Sequence, residues 1–175
     1  MQACHALIMN DAEAAEDRHD DELPLTPAPT TPAEWDEMFD GWDEIRQGYH
    51  LGDARRAVLD CARHLQASVA AGGPDIALWT FGLVLTGPYV IHARPDAAAE
   101  ALVREAMGAV ERALGQTPCP HEEHPCDDMP LDVDLDDFRC VLEMRADPAG
   151  DAAPEAEIWA CPRNLAGLAR AFSDV

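Results

Sequence analysis

Apolar residues in the first two thirds of the chain recur at helical spacing. Between positions 32 and 49, the large apolar side chains fall on one helical stripe: Trp35, Met38, Phe39, Trp42, Ile45 and Tyr49. Thr31-Pro32-Ala33-Glu34 supplies a capping residue, a proline suited to the first helical position and a glutamate that completes a capping box. The pattern predicts an amphipathic helix whose aromatic side chains belong to the core.

Three further helices are predicted before position 115. Residues 54–71 and 96–114 each carry their apolar side chains on one face, whereas residues 76–92 are apolar all round. A helix without a polar face is typical of an element that is buried on every side. Gly87-Pro88 should kink or end it. We therefore expect 76–92 at the centre of a helical bundle.

Beyond Pro118 the spacing changes. Apolar or weakly polar residues recur at every second position in one run: Phe138, Cys140, Leu142 and Met144. A second alternating run covers 155–160, and this spacing predicts a β-hairpin, although Phe138, Val141 and Leu142 would also suit a short helix over 136–146. A last helix is predicted at 163–172. The predicted fold class is mainly α, with about four principal helices, a small C-terminal β-hairpin and a terminal helix.

The domain boundaries follow from composition. Residues 1–30 combine many acids with a Pro/Thr-rich end and few large apolar side chains, which predicts an acidic leader that is disordered or loosely docked. Residues 31–175 form a single predicted helical domain, with the metal-loop and hairpin region at 119–161. A chain of 175 residues is long enough to bury a core of this kind.

Charge restricts the classes of partner. Every one of the 12 basic residues is arginine, and 34 aspartates and glutamates bring the net charge to −22. A polyanion would be repelled, so no nucleic-acid partner is expected. The acids concentrate in two stretches, 1–40 with 11 and 119–160 with 13. A basic protein partner, a cation or simple solvation would each account for them; the oligomeric state stays open.

The sequence also bears on location. The N-terminus has an apolar start without a basic region, unlike a secretory signal. The run from Ile76 to Ile91 is interrupted at Gly87-Pro88 and is short for a bilayer span. No membrane association is expected, and we predict a cytoplasmic protein with reduced thiols, because six cysteines in a chain this long do not form a disulfide scaffold.

The densest cluster of metal-ligand chemistry is Cys119-Pro-His-Glu-Glu-His-Pro-Cys126. It predicts a metal site formed by Cys119, His121, His124 and Cys126. Two thiolates and two imidazoles are a standard tetrahedral set for structural zinc, and the prolines would lower the entropy lost on ordering the loop. Known zinc motifs usually split their ligands between two segments, so Cys140 and Cys161 are alternative ligands. A Cys119–Cys126 disulfide or inert surface residues are the competing interpretations.

A calcium loop is a weaker prediction from the same region. The residues at loop positions 1, 3, 5 and 12 are Asp132, Asp134, Asp136 and Glu143. Position 6, which requires glycine, is Asp137, and Pro130 denies the loop an entering helix. Zinc is therefore preferred over calcium.

No local signature of nucleophilic catalysis is present, such as a nucleophile elbow, a glycine-rich phosphate loop or a zinc-protease motif. The favoured function is therefore a non-enzymatic, zinc-stabilised interaction protein such as an immunity, inhibitor or adaptor protein. The alternative is a small metalloenzyme or small-molecule-binding protein with a pocket near His64, Tyr89 and His92. Cys61 with His64 or His92 would be its conceivable thiol pair.

Overall fold

The fold is helical throughout the part of the chain that the structure, a computed structural model, describes: residues 23–48, 53–121, 133–147, 150 and 154–174. Within these ranges lie seven α-helices and no strand, with 75% of the residues helical. The helices are α1 (Pro32–Arg46), α2 (Ala54–Ala71), α3 (Ile76–Pro88), α4 (Ala97–Leu114), α5 (Leu135–Ala146), α6 (Pro154–Trp159) and α7 (Pro162–Ser173).

Helix α3 is the centre of the bundle, as the sequence predicts. It packs against α1, α2, α4, α5 and α7, and its side chains are buried on all faces, including the hydroxyl groups of Thr80 and Thr86. Those two hydroxyls donate to the carbonyl oxygens of the preceding turn, at Ile76 and Gly82. Both buried hydroxyls are thereby satisfied within their own helix.

Helix α3 ends at Pro88, but no loop follows the proline directly. Tyr89–Ala93 continues directly as a π-helical turn, so the helical path runs over 18 residues, Ile76–Ala93, with a mean hydropathy of 1.4. This length and composition would also suit a membrane span, but 67% of the stretch is buried inside the fold. Core helices share these properties, so this segment does not decide where the protein resides.

Helix α1 begins and packs as its pattern predicts. Thr31 accepts a hydrogen bond from the Glu34 amide, and the Glu34 carboxylate accepts from the Thr31 amide at 3.0 Å. Trp35, Phe39 and Trp42 are buried and contact one another or the ring of Trp79. The aromatic stripe therefore forms core, and the predicted capping box is present. Tyr49 lies outside the described residues.

The predicted β-hairpin is wrong. Its first run is helix α5, and the described part of the second run belongs to α6 and the turn that follows it. Phe138, Val141 and Leu142 are the buried residues of α5, a spacing of three and four that fits one helical face. Asp134 starts this helix with a capping box. The Asp134 carboxylate accepts a hydrogen bond from the Asp137 amide, and the Asp137 carboxylate accepts one from the Asp134 amide.

The leader is docked where the structure describes it. Thr26 donates its amide and hydroxyl hydrogens to Asp60 of α2, at 3.3 and 2.5 Å. The Thr26 carbonyl lies 2.7 Å from His64 Nε2, and Arg56 donates to the Pro24 carbonyl. Residues 23–30 are therefore an arm fastened to α2 by polar contacts. The prediction for 1–22 lies outside the described residues.

Candidate metal centre

The first two metal-ligand candidates follow directly on α4. The helix ends at Leu114, and a turn closed by a hydrogen bond from the Thr117 amide to the Leu114 carbonyl (2.9 Å) redirects the chain. Pro118 and Pro120 then flank Cys119, which limits the conformations of this segment. Cys119 and His121 are both half-buried. The segment thus holds a thiol and an imidazole against the body of the protein.

The third candidate arrives from a distant part of the chain. Cys161 occupies the N-cap position of α7, directly before Pro162 in the first turn. Its side chain makes no capping hydrogen bond, and its sulfur lies 3.7 Å from the sulfur of Cys119. Cys161 is only 2% exposed. The packing of α7 against α4 brings these two cysteines together.

The three side chains lie close enough together to be ligands of one metal ion. Cys119 Sγ lies 3.4 Å from His121 Nδ1, and the ligand atoms of Cys119, His121 and Cys161 all lie within 4.8 Å of one another. Zinc–sulfur bonds of about 2.3 Å and a zinc–nitrogen bond of about 2.0 Å, at the tetrahedral angle, place sulfurs about 3.8 Å apart and sulfur about 3.5 Å from nitrogen. The group could therefore hold a metal ion.

The two sulfurs are not bonded to each other. Among the described residues, Cys119 and Cys161 form no disulfide, because their sulfurs lie 3.7 Å apart and a disulfide would require about 2.05 Å. The arrangement of Cys119 and Cys161 is therefore compatible with metal coordination as it stands, without movement of the backbone.

The structure brings together part of the predicted ligand set. Cys119 and His121 lie in the cluster, whereas His124 and Cys126 lie outside the described residues, as does the alternative Cys119–Cys126 disulfide. Cys161, an alternative ligand in the sequence, completes the described group, and Cys140 does not join it. The sequence signal that relates the two cysteines is a shared dipeptide, Cys119-Pro120 and Cys161-Pro162, but only the fold shows that they meet.

The acidic stretch does not form a calcium loop among the described residues. Asp134 Oδ1 accepts from the amides of Asp136 and Asp137 at 2.9 and 3.0 Å, so it caps α5. Glu143 lies nine positions along the same helix, which separates it from Asp134 by about 13 Å at a rise of 1.5 Å per residue. One ion cannot bind both carboxylates. Asp132 lies outside the described residues.

His64 lines a separate cavity of about 440 Å³. Its ring stacks on Trp79 with centroids 4.4 Å apart and an angle of 12° between the planes. Cys61 lines the same cavity, where its thiol donates to the Trp79 carbonyl at 3.4 Å. Burial, aided by the negative charge of Asp60, raises the pKa of the Cys61 thiol well above its usual value. Cys61 therefore stays protonated, which argues against a nucleophilic thiol pair.

Tyr89 and His92 line a different cavity, of about 410 Å³, at the π-helical turn. Tyr89 is buried and His92 is exposed. The three residues expected to share one pocket are thus divided between two cavities, which have Ile45 in common.

Comparisons of the chain with models of protein families, with curated proteins and with solved structures found no match.

Proposed function

We propose that this chain is a non-enzymatic, zinc-stabilised helical interaction protein whose partner is a basic protein. The observation that carries the proposal is the cluster of Cys119, His121 and Cys161. The distances from Cys119 Sγ to Cys161 Sγ (3.7 Å) and to His121 Nδ1 (3.4 Å) agree with a tetrahedral zinc site to within about 0.2 Å, and the three ligand atoms all lie within 4.8 Å of one another.

The ligand chemistry favours zinc over other ions. Two thiolates and an imidazole are borderline-soft ligands, which zinc binds readily and which magnesium and calcium do not prefer. His124 and Cys126, which follow His121 within five residues, are the proposed sources of the fourth ligand. A fourth protein ligand would close the coordination shell, as in structural sites. Because the thiols must stay reduced, the proposal places the protein in a reducing compartment such as the cytoplasm.

The position of the cluster explains what the metal would do. It would join the segment that follows α4 to the N-cap residue of α7, two points 42 residues apart in sequence. Because the ligands meet only in the folded chain, the free energy of zinc binding would add to the stability of the fold. It would also hold His121 in place, the residue directly before the acidic stretch that begins at Glu122. The zinc is therefore proposed to be structural.

The proposed partner surface is the acidic surface formed by α1 and the start of α5. Asp36, Asp40 and Asp136 surround the single guanidinium of Arg139, at 3.0, 3.3 and 3.9 Å. Hydrogen bonding to Asp36, together with the nearby negative charge, raises the pKa of Arg139. Three carboxylates around one cation leave a net negative charge, which suits the lysine and arginine side chains of a basic partner.

The metal proposal is tested by elemental analysis and thermal unfolding of the purified protein. We expect one zinc per chain in the wild type and in Cys61→Ala, and none in Cys161→Ser. Zinc at a free concentration 100 times its Kd would add about 2.7 kcal/mol, so a chelator should lower the Tm of the first two proteins by about 5–11 °C. Cys61→Ala is the control for loss of a buried thiol. Wild-type protein without zinc would refute the proposal.

The partner surface is tested by calorimetric titration with a lysine-rich basic protein at low and high salt. Asp36→Asn/Asp40→Asn should weaken binding, while Glu105→Gln/Glu157→Gln, which removes two exposed charges from α4 and α6, should leave it nearly unchanged. If both double variants weaken binding equally, only net charge matters and the assigned surface is wrong.

A second candidate function, binding of a small molecule, is favoured by one observation. The cavity that His64 lines has a volume within the range of known ligand pockets, about 300–1,000 Å³.

A further inference from the structure

The cavity at His64 is a groove with three helical walls. Helices α1 and α2 each pack against α3, and the groove runs between them, with Trp79 of α3 at its base. Thr26 of the docked arm borders one side. The groove is therefore framed by regular helices and by a segment that polar contacts hold in place.

The interior of the groove is apolar and rich in aromatic rings. Trp42, Ile45 and Trp79 are buried core residues whose side chains also line the groove, and Met38 and Ala57 complete the apolar wall. The indoles of Trp42 and Trp79 lie with ring centroids 5.7 Å apart. Such walls favour a ligand with an aromatic or aliphatic body.

The rim of the groove is acidic. Glu37, Glu44 and Asp53 are exposed carboxylates at its edge. The other two charged residues of the groove, Arg56 and Asp60, neutralise each other, because Arg56 Nε donates to the Asp60 carboxylate at 2.8 Å. Asp60 also accepts a hydrogen bond from Thr26 of the arm. An anionic ligand would meet carboxylates at the mouth of the groove, whereas a cationic ligand would be attracted to them.

We propose that this groove binds a small organic cation that has an apolar body, of the aryl-alkyl ammonium class. The body lies against Trp42 and Trp79, and the ammonium group lies at the acidic rim, near Glu37. The carboxylates of the rim attract the ammonium group, and the apolar walls of the groove remove the body of the ligand from water. The site requires no metal and does not rest on the zinc proposal.

Charge also argues against occupation of the groove by the rest of the leader. Residues 1–22 contain seven acids and one arginine, so the acidic rim would repel most of this segment. The full chain should therefore leave the groove open to an added cation, and the experiment below uses the full chain.

The binding test compares three probes of similar size: 2-phenylethylammonium, neutral 2-phenylethanol and anionic 3-phenylpropionate. Binding is measured by tryptophan fluorescence and by ligand-observed NMR saturation transfer. We expect the ammonium probe to bind about ten times more tightly than the alcohol, because the rim carboxylates attract its charge, and the anion to bind least. An ammonium probe that does not bind, or that binds no more tightly than the alcohol, overturns the proposal.

Two glycines allow a matched pair of variants that locates the probe. Gly41 lines the groove from α1 and Gly167 lies on α7 away from it, and a Cβ atom at either position would meet no atom within 4 Å. Gly41→Leu should fill the groove and abolish binding, whereas Gly167→Leu should bind as the wild type does. Unchanged binding in Gly41→Leu would place the probe elsewhere and refute the site.

A second matched pair tests the charge. Glu37→Gln should weaken binding of the ammonium probe and leave the alcohol unchanged, and Glu105→Gln, on an exposed part of α4, should change neither. Cys161→Ser should lose zinc yet keep the ammonium site, so failure of the metal proposal and failure of this one can be distinguished. Equal effects of the two glutamine variants would reject a role for the rim.

Discussion

Gly82→Ala should destabilise the protein although alanine is the better helix former. Gly82 lies in α3 against the indole of Trp42, where a Cβ atom would lie 2.5 Å from Cη2 and 2.8 Å from Cε3. Carbon atoms pack best at about 3.5–4.0 Å, so the indole would have to retreat by about 1 Å. Trp42 is 3% exposed and is held between Phe39 and Trp79. Phe39 and Trp79 therefore restrict the movement of the ring on the sides that they contact.

The size of the effect follows from two opposing contributions. Overpacking of a closed core costs up to about 3 kcal/mol, whereas replacement of a helical glycine by alanine gains about 1 kcal/mol. The net loss for Gly82→Ala is about 2 kcal/mol, which lowers Tm by about 4–8 °C in a chain of this length. Gly41→Ala, with no atom within 4 Å of the added methyl group, should be stabilised.

Thermal and urea unfolding, followed by circular dichroism at 222 nm, would measure both variants. Gly87→Ala provides an intermediate case, because its Cβ atom would lie 2.6 Å from Cζ at the tip of the Phe172 ring, and a ring tip can shift more readily than an enclosed indole. A Gly82→Ala protein that melts at or above the wild-type temperature would refute the close packing of α3 on Trp42.

Other consequences concern caps and buried charges. Thr31→Ala should cost about 1 kcal/mol, as loss of a helix cap does, measurable as a lower urea midpoint. Burial alone would raise the pKa of Asp96, but the hydrogen bond from Arg55 and the amides of α4 lower it below 3.8. The stabilisation by Asp96 is therefore present above about pH 4 and is lost as pH falls through the lowered pKa, so the difference in urea midpoint between wild type and Asp96→Asn should shrink between pH 7 and pH 3. Cys61 should resist iodoacetamide at pH 8 in the folded protein and react in urea, as peptide mass spectrometry would show.

Much of the helical body could be predicted from sequence because its signals are local. The apolar stripe of α1, the Thr31 capping box and the wholly apolar α3 each fix one element without reference to distant residues. These patterns also predicted which of their residues are buried. Proximity between elements has no comparable local signal.

The predicted β-hairpin was wrong because strand spacing and helical spacing both fit the same apolar residues. In the run 138–144 every second residue is apolar or weakly polar, yet Phe138, Val141 and Leu142 satisfy a helical face equally well. The deciding signal was Asp134 with Asp137, an aspartate capping box that marks a helix start. The sequence named Cys161 only as an alternative ligand, because its meeting with Cys119 depends on the packing of α4 against α7.

The pairing of α4 with α7 has a consequence for synthesis on the ribosome. Val103 of α4 and Phe172 of α7 both lie against Gly87, and Glu111 is paired with Arg170 at 2.8 Å. Translation at about 5–20 residues per second separates the completion of Leu114 from that of Ser173 by about 3–12 s. During this interval the nascent chain carries an uncovered apolar face on α4. A chaperone could bind this exposed face of α4, and a pause in translation before Pro162 would lengthen the time for which it is exposed.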